Sequence, residues 1–163
     1  MKLFKCILFI LAVIFILIQF IRPERNIGEV NPIHEITTTF AVPNNVQDIL
    51  RNSCYDCHSN NTRYPWYVNI QPFGWFMNGH IKEGKSKMNF SEFATYPLSG
   101  QYNKFNDIIE NVSDGEMPLP SYLLIHTGAK LSDGQEKKLI DWAREMRDLM
   151  KAKYPADSLQ SKK

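Results

Sequence analysis

Cys54-Tyr55-Asp56-Cys57-His58 decides how this chain is read. Folded as one helical turn, the stretch sets Cys54 and Cys57 at i and i+3 and His58 at i+4, all on one face. Two thiols so placed can each form a thioether with one of the two vinyl groups of a macrocycle, and the adjacent imidazole can bind its iron axially. C-x-x-C-H is the signature of covalent haem c attachment. With three Cys and four His in 163 residues, a chance match is on the order of one in a thousand. A structural zinc site needs a second ligand pair, and the chain offers only Cys6 in an apolar segment and the scattered His34, His80 and His126. A redox-active dithiol belongs where a strand enters a helix, whereas Ala41–Ser53 reads as a helix leading into the cysteines. A Cys54–Cys57 disulfide leaves His58 without a purpose.

Upstream, Leu3–Ile21 is apolar apart from Lys5, Cys6 and Gln19, and Arg22-Pro23-Glu24-Arg25 closes it. A helix over this stretch rises about 28 Å, near the roughly 30 Å of a bilayer's hydrocarbon, with Lys5 free to snorkel. No small-x-small cleavage site follows, so residues 1–21 are expected to remain as a single transmembrane anchor rather than a cleaved signal sequence. Charge flanks scarcely orient it. The thiols favour a domain facing the periplasm of a bacterial inner membrane, because c-type haem is attached outside the cytoplasm. Beyond residue 21 the chain carries 17 basic residues against 17 acidic, with no nucleic-acid footprint.

Residues 22–43, with Pro23, Gly28, Pro32 and Pro43, read as a linker, and β-branched Ile36–Phe40 within it as extended. Residues 44–153 suffice for one small domain, and 154–163 form a polar, basic tail. Four helices are expected. Asn44 or Asn45 caps the first, whose face of Val46, Ile49 and Leu50 continues into the cysteines. Pro72–Glu83 stops at Gly84, and Gln101–Val112 presents Phe105, Ile108, Ile109 and Val112. Ser132-Asp133-Gly134-Gln135 is a capping box opening a helix with Leu139, Ile140, Trp142, Ala143, Met146, Leu149 and Met150. Strand signals are scarce, so the fold expected is an all-α domain around a haem.

The stretch CYDCHSNNTRYPWYVNIQPFGWFMNGHIKEGKSKMNFSEF (residues 54–93) and the downstream GEMPLPSYLLIHTGAKLSDGQEKKLIDWA (residues 115–143) resemble the haem-binding domain family of small c-type cytochromes of Bacteroidetes-like bacteria. The patterns CxDCHSNxTxxPWY, HIxEGKxxxNFSEF and GEMP carry the resemblance. It implies a cytochrome c-like monohaem fold in which Cys54, Cys57, His58 and a methionine serve the haem. Tyr64 stands where the family pattern leads one to expect tryptophan.

Met117 is the expected sixth ligand. It lies in the loop Ser113–Pro120, far enough past His58 to cross the opposite haem face, and Pro118 and Pro120 restrict its backbone. The competing reading is a Met packed against apolar neighbours. His80 is the rival ligand, with a propionate-side role favoured for it because Lys82, Lys85 and Lys87 lie nearby. His126 reads as a polar anchor of its loop, and His34 as idle. Trp66, Tyr67, Phe73, Trp75 and Phe76 are expected to pack around the macrocycle. Pro65 or Pro72 is expected to turn a carbonyl toward the second nitrogen of His58.

No acid–base pair, nucleophile or phosphate loop accompanies the motif. The expected role is therefore a carrier and not an enzyme, relaying single electrons between redox partner proteins. A haem-based sensor or a peroxidase-like protein is the alternative, and either needs a labile sixth site.

Overall fold

A computed structural model describes residues 1–160. Among these residues the architecture is all-helical, with one isolated bridge between Ile27 and Asn61. Eight α-helices follow in order: α1 (Lys2–Ile18), α2 (Ile36–Thr39), α3 (Asn44–Ser53), α4 (Tyr55–His58), α5 (Phe73–Lys87), α6 (Leu98–Ser113), α7 (Pro120–Leu123) and α8 (Asp133–Lys153).

The core forms where α6 packs along α8 and α3 packs on α8. Phe105 meets Trp142 edge-on at 5.5 Å, and Phe90, Phe93, Leu50, Leu139 and Ala143 fill the space around them, all almost fully buried. The expected capping box starts α8: Ser132 Oγ accepts from the Gln135 amide while Gln135 Oε1 accepts from the Ser132 amide. Trp142 Nε1 donates to the Ala41 carbonyl at 2.9 Å, fastening α8 to the chain ahead of α3.

The expected transmembrane span is overturned. No helix among the described residues is long and apolar enough to cross a membrane. α1 ends at Ile18 instead of Ile21, and its 17 residues rise only about 25 Å. The cause is Gln19, whose amide has polar obligations to the domain. Its Oε1 accepts from the Gln71 amide at 2.8 Å, and its Nε2 donates to the Gln71 carbonyl at 3.2 Å. Ile21 is held in turn, its carbonyl accepting from Trp75 Nε1 at 2.8 Å. An apolar run counted along the sequence does not register these partners.

The segment 22–43 lies on the domain. Gly28 donates to the Asn60 carbonyl at 2.9 Å and Thr62 to the Asn26 carbonyl at 3.1 Å, beside the motif. Ile36–Phe40, expected to be extended, instead makes the turn α2, because burying Ile36 completely and setting Phe40 edge-on against Phe93 and Phe105 outweighs β-propensity. In the tail Leu159 is buried against the core; Lys162 and Lys163, also read as part of that polar tail, lie outside the described residues.

Candidate haem site

α3 buries Val46, Ile49 and Leu50 and delivers the chain to Cys54. There the backbone leaves helical geometry, and the Cys54 carbonyl accepts from the Cys57 and His58 amides at 3.1 and 2.9 Å. The motif is therefore the single helical turn its spacing predicts. Cys54, Cys57, His58, His80 and Met117 all line one cavity of about 530 Å³, whose apolar depth is made by Leu50, Phe90, Ile108, Val112, Leu131 and Leu139.

Two walls bound this cavity. One is α4 packed on α5, and the other is α6 with the loop behind it. Gly84 makes the first contact possible. A methyl group there would lie 2.9 Å from the Cys57 carbonyl oxygen and 3.0 Å from its Cβ. Gly84 is thus a close-approach glycine inside α5 and not the stop that the sequence suggested; the helix continues to Lys87. Gly84→Ala gains about 1 kcal/mol of helix propensity but must push α5 off the motif, and overpacking costs about 1–3 kcal/mol. The expected result is net destabilisation, larger for Gly84→Val, read from denaturant midpoints. A midpoint at or above wild type for both variants would refute the contact.

His58 Nδ1 lies 3.0 Å from the Met88 carbonyl, just past the end of α5. Since a carbonyl only accepts, Nδ1 carries the proton and Nε2 is left with its lone pair. The orienting carbonyl is Met88's, not one turned by Pro65 or Pro72; α5 supplies it because Gly84 has already seated that helix on the motif. Burial lowers the His58 pKa, the Met88 and Gly84 backbone groups opposing it, so the ring is kept neutral as a metal ligand requires.

Burial pushes the Cys54 thiol up to about 12, with Cys57 adding to it, and the Cys57 thiol up to about 11, with Asp56 adding. A reactive dithiol needs the opposite shift. Nor do the described residues gather three or more His, Cys, Asp or Glu as a zinc site would.

Met117 reaches the cavity from the second wall. Gly115, at φ +71°, ends α6 in the left-handed conformation, and the Glu116 and Met117 amides both donate to the Asn111 carbonyl, at 2.9 and 3.0 Å. With Gly115 donating to Val112, this is a Schellman end that fixes where Met117 emerges.

Several site residues carried no clear sequence signal. Asp56, buried inside the motif, accepts from the Arg63 amide and Nε at 3.1 Å and from the Tyr122 hydroxyl at 2.9 Å. It joins the motif to α7, just beyond Met117. Tyr122→Phe removes one hydrogen bond to a buried carboxylate and is expected to cost about 1–3 kcal/mol in urea unfolding; an unchanged midpoint would deny Asp56 this bridging part. His126 is a polar anchor, stacked on Tyr122 at 3.9 Å and 3.0 Å from the Tyr67 hydroxyl. His34, read as idle, sits 2.9 Å from Glu92. The Tyr64 hydroxyl accepts from the Asn26 amide at 2.6 Å, which an indole could not do.

The aromatic segment does not surround the cavity as expected. Trp66, in the turn Trp66–Asn69, is more than half exposed, and so are Phe73 and Phe76, because α5 turns Gly74, Met77, Ile81 and Gly84 inward and leaves these two rings outside.

The residues present fit a haem: an apolar slot, two thiols one turn apart at its wall, an imidazole with a free Nε2 beside them, and a thioether in the same lining. An all-helical domain with such a slot is the framework of a haem protein. Residues 13–145 match the Haem-binding domain family, and the chain belongs to that family of haem-binding proteins. No curated protein and no solved structure matches the chain.

Proposed function

We propose that this haem-binding protein is a c-type cytochrome that relays single electrons between redox partner proteins, its haem attached through Cys54 and Cys57 and its iron held by His58 and Met117. One observation carries the reading: both thiols, the oriented imidazole and the thioether line the same cavity. Bound there, haem supplies an iron centre that accepts and returns one electron. The chain's own residues do the rest. His58 offers Nε2 because Met88 holds its other nitrogen, and Leu50, Ile108, Val112 and Leu139 keep water from the slot. Met117 would hold the iron as its second protein ligand, and a neutral, soft sulfur there would raise the reduction potential relative to a second imidazole.

Family membership fits a haem-binding protein that is not an enzyme. A sensor or a peroxidase needs the position that Met117 would fill. The thioether chemistry also favours a site of action in the periplasm. The test is the absorption spectrum of purified protein with and without reductant, before and after acid-solvent extraction. Expected are sharp bands of low-spin ferrous haem and pigment retained on the polypeptide. Pigment extracted into the solvent overturns the c-type reading, and an oxidised protein that is high-spin overturns the relay.

A further inference from the structure

Two side chains among the described residues bury a polar nitrogen with no hydrogen-bond partner, His80 Nε2 and Arg147 Nε, and only His80 lines the cavity. Buried polar atoms left unpaired are rare in folded proteins, and each calls for a partner. Haem carries two strongly polar groups at its rim, its propionate carboxylates. We propose that His80 Nε2 donates a hydrogen bond to a haem propionate and so positions the carboxylate edge of the group; the inference rests on the c-type reading above.

The wall on which His80 stands supports this over iron ligation. α5 touches Cys57 through Gly84, and the carbonyl just past its end binds His58 Nδ1. His80 lies one turn before Gly84 on the same stripe, so it enters the cavity from the side that carries the motif. The loop after α6 brings Met117 into the same cavity, so a second iron ligand would be supplied there without His80. Phe76 packs edge-on against the His80 ring at 4.4 Å and restrains it. The charged lining of the cavity is mostly acidic: Lys87 lies two turns further along α5, while Asp56, Glu83, Asp107 and Glu116 line it too, so an entering carboxylate needs a directed donor at its edge. Of these acids, Asp56 is already held by Arg63 and Tyr122 and Asp107 by Lys104.

The experiment uses the full-length holoprotein with its haem isotope-labelled at the propionate carboxyl carbons, read by redox-induced infrared difference spectroscopy. His80→Phe is expected to shift the labelled carboxylate band and lower the reduction potential, since an unneutralised propionate favours ferric iron. His80→Gln, which keeps a donor, should return both most of the way, and neither variant should lose the low-spin spectrum. An unmoved labelled band overturns the proposal. So does conversion of His80→Phe to high spin, which would make His80 an iron ligand.

Should His80→Phe not fold, wild-type ferrous protein with nitrogen-labelled histidine provides the measurement by magnetic resonance. A slowly exchanging His80 Nε2 proton in contact with propionate methylene protons is expected, and its absence overturns the assignment. A wild type lacking thioether-bound haem refutes the c-type reading itself. Thioether-bound haem without the His80 signals refutes only the propionate contact.

Discussion

Cys54→Ala with Cys57→Ala is expected to yield a polypeptide that carries no pigment through denaturing electrophoresis, whereas the wild type should keep its haem on the chain. The thiols stand one helical turn apart, held by the Cys54 carbonyl's hydrogen bonds to the Cys57 and His58 amides. Each single variant should retain one point of attachment and some covalent pigment. The effect on the fold is as large. Leaving a cavity of about 530 Å³ unfilled, at roughly 24 cal/mol per Å³, costs up to about 13 kcal/mol, an upper bound because water enters its polar end. Small domains have about 5–15 kcal/mol in all. The haem-free double variant should therefore lose its near-ultraviolet dichroism and keep only part of its helical signal. A double variant that binds haem covalently, or a haem-free form with a cooperative native-like transition, would contradict this.

Met117→Ala should convert low-spin ferric haem to high spin, abolish the weak red charge-transfer band of sulfur ligation, and let carbon monoxide bind the ferrous protein quickly. The side chain is placed by Gly115 and the double acceptance at Asn111, so its removal opens the axial position without disturbing α6. The reduction potential should fall, because water or hydroxide in that position favours ferric iron more than a thioether does. Gly115→Ala, strained at positive φ, should partly mimic the loss by displacing the loop. A Met117→Ala spectrum identical to wild type would remove Met117 from the iron. Rapid carbon monoxide binding by the wild type would transfer the function to ligand sensing or peroxide chemistry.

What the sequence disclosed was the chemistry that acts over a few residues. The C-x-x-C-H turn, the α3 face of Val46, Ile49 and Leu50, and the Ser132–Gln135 box at the head of α8 are all set by near neighbours, and each stands where its pattern put it. Contacts between distant segments were hidden. Nothing near Gly84 says that Cys57 presses on it, and nothing near Met88 says that its carbonyl orients His58. Asp56 joins Tyr122 across 66 positions. The same limit produced the errors at the amino-terminal side. Gln19 looked like a minor interruption in an apolar run because its partner, Gln71, lies 52 residues on. Ile36–Phe40 looked extended because its burial against Phe93 and Phe105 is tertiary.

The docking of residues 19–28 bears on how far the cofactor can travel. A free chain over residues 22–43 would extend to about 75 Å, enough to swing a domain between partners like a weight on a cord. Here Gln19 is bound to Gln71, Ile21 to Trp75, Arg25 to Asn69 and Gly28 to Asn60, so that slack is taken up from its first residues. Residues 19–28 therefore move with the domain and add no free length to its reach.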